Sequence, residues 1–160
     1  NNYTPVIMNK YIATLANGGT RYKFSVVDKV ETSSGEIIEQ SEPVVEQSIN
    51  ISQENLDAVY EGMRLVTQGT RGTLRTYFND FPINVAAKSG TAQENLLRSS
   101  HTWFVGFAPY ENPQISVTVM IPFGEYSPTP SAIVGRNIIA EYMGLNYTPE
   151  NSYMDVELAD

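Results

Sequence analysis

Ile83-Asn84-Val85-Ala86-Ala87-Lys88-Ser89-Gly90-Thr91-Ala92 is the stretch on which the fold turns. Asn79-Asp80-Phe81-Pro82 breaks the chain just before it, and an apolar run of strand length then ends in small and hydroxyl residues. We read a strand from Ile83 to Ala92. Two more runs follow closely, Thr102 to Ala108 and Ile115 to Ile121. The last alternates Ile115, Val117, Val119 and Ile121 against Ser116, Thr118 and Met120, the period-two pattern of a half-buried strand. Pro109-Tyr110-Glu111-Asn112-Pro113 joins the second and third runs, with Pro113 where a missing N–H costs nothing. Together they predict an antiparallel meander.

Helices flank the meander. Thr4-Pro5 reads as an N-cap with proline at the first helical position; Met8, Tyr11, Ile12, Leu15 and Ala16 recur at helical spacing until Asn17-Gly18-Gly19. Ser52 caps a second helix with Leu56, Val59, Tyr60, Met63 and Val66 on one face, ending near Gly69. A short helical turn through Tyr77 follows the connector Thr70-Arg71-Gly72-Thr73, and a last helix of about Ser131 to Met143 presents Val134, Ile138 and Tyr142 as a stripe. Between the first two helices, Arg21 to Val30 and Ile37-Ile38 with Val44-Val45 predict two strands of a hairpin about the turn Ser33-Ser34-Gly35-Glu36. The expected class is α+β: an antiparallel sheet with flanking helices, a helix layer covering one sheet face.

Composition narrows the partners. The 160 residues suit one domain, with 41% hydrophobic and 18% charged residues. Eighteen acidic against ten basic side chains give a net charge of -8, and no Lys/Arg cluster overrides it, which argues against nucleic acid. Cysteine is absent, which removes disulfides and thiolate chemistry; one histidine and scattered carboxylates offer no metal ligand cluster, and no cofactor is expected. No run of about 18 apolar residues is present to span a membrane.

Lys88-Ser89-Gly90-Thr91 resembles the Lys-Ser/Thr-Gly box of penicillin-binding proteins and serine β-lactamases. Four such common residues are a weak signal alone, but the likeness extends along the chain. It takes in Tyr3-Thr4-Pro5, Ala16-Asn17-Gly18-Gly19, Gly90-Thr91-Ala92-Gln93 and Thr102-Trp103-Phe104-Val105-Gly106-Phe107-Ala108-Pro109. In this order they resemble the C-terminal portion of the transpeptidase domain of a class B penicillin-binding protein, residues 1–160 forming part of a single such domain. The continuation Tyr110-Glu111-Asn112-Pro113 leans toward the elongation-type subgroup.

The resemblance implies acyl transfer: a serine attacks the D-Ala-D-Ala amide of a peptidoglycan stem, and the acyl group passes to an amine of a neighbouring stem, with β-lactams as mimics. It implies an enzyme at the outer face of the bacterial cytoplasmic membrane, its anchor outside this chain. Expected partners are stem peptides, β-lactams, the missing N-terminal half of the same domain and other cell-wall synthesis proteins. Lys88 would supply a fixed positive charge near the proton-transfer network and the substrate carboxylate. Ser89 and Thr91 would donate hydroxyl hydrogen bonds to that carboxylate, Gly90 would clear space for substrate backbone, and the Thr91 N–H would serve as an oxyanion donor. Strict alternation, however, places Lys88 and Gly90 on one face of the strand and Ser89 and Thr91 on the other.

No serine in the chain has lysine three positions later, so the S-x-x-K nucleophile box is absent and the chain alone is expected to be inactive. The one S-x-N, Ser48-Ile49-Asn50, lies far after the family's usual position and reads as coincidence. His101 reads as structural, because no Asp or Glu is near it in sequence and the family uses lysine and serine. Trp103, Phe104 and Phe107 read mainly as core. A D,D-carboxypeptidase or β-lactamase relative, and a non-catalytic β-lactam-sensing or partner-binding module, are the rival readings.

Overall fold

The computed structural model describes residues 3–94, 97–124 and 129–147. Its centre is the antiparallel meander that follows four short strands in the chain: β5 (Ala86–Ala92), β6 (His101–Ala108) and β7 (Ile115–Ile121), in the order β5-β6-β7. Ala86 pairs with Phe107 and Ala92 with His101; Thr102 pairs with Ile121 and Ala108 with Ile115. β5 begins three residues later than the sequence predicts. Residues Asn84 and Val85 spend their carbonyls elsewhere, accepting from the Tyr110 N–H at 2.9 Å and the Thr67 hydroxyl at 2.5 Å. Pro109, which has no N–H to donate, ends β6 beside them.

Helices cover both faces of this sheet, not the one face expected. α1 (Pro5–Ala16) and α2 (Gln53–Gln68) lie on one side, where Ile12 and Met63 pack with Ala86, Val105 and Phe107. α3 (Arg75–Phe78) and α4 (Thr129–Tyr142) lie on the other, where Leu74, Phe78, Ala132 and Ile139 pack with Ala87, Phe104, Ala108 and Val117. β6 is thus buried on both faces. Alternation delivers Phe104 to one core and Phe107 to the other, both fully buried. Phe104 stacks on Phe78 at 6.0 Å between ring centroids, and Phe107 meets Tyr60 edge-on at 5.1 Å.

Both early caps form as read: the Thr4 Oγ1 accepts the Ile7 N–H at 3.3 Å and the Ser52 Oγ accepts the Asn55 N–H at 3.4 Å. α4 departs from expectation. Its stripe Val134, Ile138 and Tyr142 is exposed by 42%, 42% and 60%, and the inward face is Ala132, Gly135, Ile139 and Ala140. Phe104 is the cause: a Cβ on Gly135 would lie 2.3 Å from its ring, so only the small-residue face of α4 can approach.

The expected two-stranded hairpin is four short strands in a nested ribbon. β1 (Thr20–Tyr22) pairs with β4 (Val45–Ser48), and β2 (Lys29–Glu31) with β3 (Ile37–Gln40). Between the pairs, Ser25 bonds its own neighbour Val27, the Gln40 amide bonds Asp28, and Pro43 offers no donor. At the base, Glu46 joins Lys10 of α1 and, at 3.2 Å, Arg21.

Candidate active site

β5 holds Lys88, Ser89, Gly90 and Thr91 on the free edge of the sheet, since only β6 pairs with it among the described residues. Lys88 stands opposite Val105 and Gly90 opposite Trp103, on the face covered by α1 and α2. Alternation separates the four as the sequence requires. The Ser89 hydroxyl lies on the other side, 3.4 Å from Thr73 Oγ1, and Thr91 is paired with Thr102.

A cavity of about 310 Å³ opens against this edge, walled by Tyr3, Met8, Trp103 and Val105 and floored by Lys88, Ser89, Gly90 and Ala92. A second, of about 340 Å³, continues from it between α1 and α2 and shares Met8, Lys88 and Val105. The structure thus brings together Lys88, Ser89 and Gly90. It leaves Thr91, exposed, outside the wall. Trp103 is half-buried and lines the cavity, unlike its two phenylalanine neighbours in the core.

The Lys88 ammonium is exposed, donates to the Ser89 carbonyl, and has no carboxylate within ion-pair distance among the described residues. A cation without a counter-ion beside apolar walls attracts an anion more strongly than one in open solvent. The carboxylates with altered acidity lie elsewhere and each has a structural partner. Hydrogen bonding to Arg64 holds Glu61 below its ordinary value, and hydrogen bonding to Asn84 does the same for Glu111. Gly90 is not forced by packing: an added Cβ would sit 3.4 Å from the Trp103 Cβ, ordinary contact.

Two contributions escape sequence reading. Thr73 comes from the connector before α3, where nothing marks it as a neighbour of Ser89. Glu94 approaches His101 Nε2 at 3.7 Å, so the histidine does have an acid beside it, seven positions earlier in the chain.

Comparison with known proteins accords with this geometry. Residues 1–140 match the family model described as the penicillin-binding protein transpeptidase domain. Penicillin-binding protein 2B of Streptococcus pneumoniae is 32% identical over 131 residues, covering 76% of this chain and 19% of its own length. Peptidoglycan D,D-transpeptidase MrdA of Haemophilus influenzae is 32% identical over 92 residues, 49% of this chain and 14% of the relative. The chain therefore spans about a fifth or less of these relatives. The solved structure of penicillin-binding protein 2B from S. pneumoniae strain R6 superposes with a TM-score of 0.77 at 29% identity, over 92% of this chain and 26% of that one. The fold is α+β, an antiparallel sheet with flanking helices and part of the transpeptidase fold, and the chain belongs to the penicillin-binding protein transpeptidase family.

Proposed function

We propose that residues 1–160 are the C-terminal portion of a single transpeptidase domain whose parent protein crosslinks peptidoglycan stem peptides through a serine acyl-enzyme. The observation that carries this reading is Lys88, a cation lacking a carboxylate partner among the described residues, at the wall of an apolar cavity on a free strand edge. A D-alanyl carboxylate fits such a cation, and an extended stem peptide fits an unpaired edge. Gly90 leaves room for the peptide backbone, Ser89 and Thr91 supply hydroxyls, and the Thr91 N–H serves as one oxyanion donor, a kind of contribution worth about 3–4 kcal/mol. β-Lactams occupy the same place as dipeptide mimics. The serine and its S-x-x-K lysine lie outside this chain, which contains no such box. The parent acts at the outer face of the bacterial cytoplasmic membrane, with other cell-wall synthesis proteins as partners.

Intact mass after incubation with excess penicillin tests both halves of the proposal. The 160-residue chain should gain no adduct, and the parent protein should gain one penicillin per molecule. A stoichiometric adduct on the short chain would place the nucleophile within it, and an unlabelled parent would favour a non-catalytic module. Incubating the parent with stem peptides then separates crosslinked dimers from the trimmed monomers of a carboxypeptidase.

A further inference from the structure

His101 opens β6 and stands in register with Ala92, the last residue of β5. Its imidazole faces an exit of the sheet on either side. Nδ1 accepts the backbone N–H of Phe123 at 3.2 Å, and the ring lies 4.9 Å from the Phe123 ring. Nε2 faces Glu94 Oε2 at 3.7 Å. Glu94 is two residues beyond the end of β5, and Phe123 two beyond the end of β7. Those strands flank β6 on opposite sides, about 10 Å apart. One side chain therefore bonds the point at which β7 leaves the sheet and lies beside the point at which β5 does.

The tie has a definite polarity. Because Nδ1 accepts from Phe123, the ring proton belongs on Nε2, the nitrogen turned toward the Glu94 carboxylate. Phe123 adopts φ 55, a conformation that costs a residue with a Cβ free energy, so its N–H needs an anchor to be held there. Arg98, whose guanidinium carbon lies 5.4 Å from the centre of the Phe123 ring, adds a second hold on the same residue.

We infer that His101 is a positioning residue for the transpeptidase site, its bond to Phe123 holding the start of β6, against which the Thr91–Ala92 end of β5 is paired. Among the described residues β5 is paired only with β6, and Ala92 lies against the cavity that Lys88 overlooks. The ladder to β6, where Thr91 faces Thr102 and Ala92 faces His101, holds this end, so a shift at the start of β6 carries over to it. Displacing reacting groups by about 1 Å can slow a reaction a hundredfold, so a modest drift at Thr91 and Ala92 would reach the chemistry. The inference rests on the transpeptidase reading.

The test uses the full-length parent and a fluorescent penicillin, resolving the acylation rate constant from the dissociation constant of the initial complex. Rates are referred to titrated active sites, so a misfolded fraction does not count as slow chemistry. His101→Leu, which removes both polar contacts, should acylate about tenfold more slowly with initial binding changed less than about twofold. His101→Asn places an oxygen where Nδ1 stood and should return the rate to within about threefold of wild type; His101→Gln reaches only toward Glu94 and should stay slow. A Leu variant as fast as wild type overturns the inference, and so does an Asn variant as slow as Gln. Should the Leu variant not fold, the Asn–Gln contrast decides alone. A wild-type parent that takes no label overturns the transpeptidase reading itself, and the inference falls with it.

Discussion

At the scale of single residues, the sheet end near the candidate site contains a buried polar atom that no described residue bonds. Thr102 is fully buried, and its Oγ1 has no hydrogen-bond partner among the described residues, although Thr91 is its strand neighbour and a Cβ on Gly124 would lie 2.9 Å from it. A buried hydroxyl left unpaired costs about 1–3 kcal/mol, whereas valine has the same shape without the desolvation cost. Thr102→Val should therefore leave stability unchanged or raise it by up to about 1 kcal/mol in urea unfolding. Gly90 allows a cleaner separation of fold from function. Its added methyl meets only ordinary contact, so Gly90→Ala should change stability by less than about 1 kcal/mol while lowering penicillin acylation of the parent at least tenfold. Lys88, Ser89 and Gly90 were legible as a group from sequence because adjacency in the chain is adjacency in space. Thr73 and Glu94 were not, since they reach the site only through the path of connectors.

Elements were legible where their determinants are local. Thr4 and Ser52 each satisfy an N–H three residues on, so both helix starts follow from short sequence windows. The start of β5 and the division of the ribbon depend instead on Tyr110, Thr67 and Asp28, partners a window does not contain. The stripe on α4 was inverted because periodicity finds an apolar face without knowing that Phe104 has already filled the space beneath it. One element has a pH dependence that can be signed. Hydrogen bonding to Lys10, reinforced by the charges of Lys10 and Arg21, holds the Glu46 carboxyl below its ordinary value of 4.5. A folded value below the unfolded one stabilises the ribbon base above pH 4.5, and that contribution disappears as pH falls through the lowered value. Amide protection factors in β1 and β4 should drop on acidification through this range in the wild type. In Glu46→Gln they should be lower at neutral pH and change little with acid.

At the scale of the whole molecule, one strand joins two cores. Phe104 and Phe107 lie three residues apart on β6, yet they belong to opposite helix layers. Truncating Phe104 removes its stack on Phe78 and empties the space under Gly135, and Phe→Ala at such a position costs about 3–5 kcal/mol. Phe104→Ala should remove a large share of the about 5–15 kcal/mol that stabilises an ordinary domain and show as a markedly lowered thermal transition in calorimetry. The three-strand meander was legible because alternation survives in β7, but the second helix layer was not: nothing in the order of elements says which face each helix takes.

The ribbon's outer half gives the molecule a handle. β2 and β3 make their principal contacts with each other, and the turn Ser33-Ser34-Gly35 joining them is exposed, with Gly35 at φ 85. A peptide tag or dye spliced there would ride on a lever joined to α1 at its root, through the packing of β1 on α1 and the Lys10–Glu46 contact. Such a label should report on the tumbling and neighbours of the protein while the groove beside Lys88 stays unencumbered.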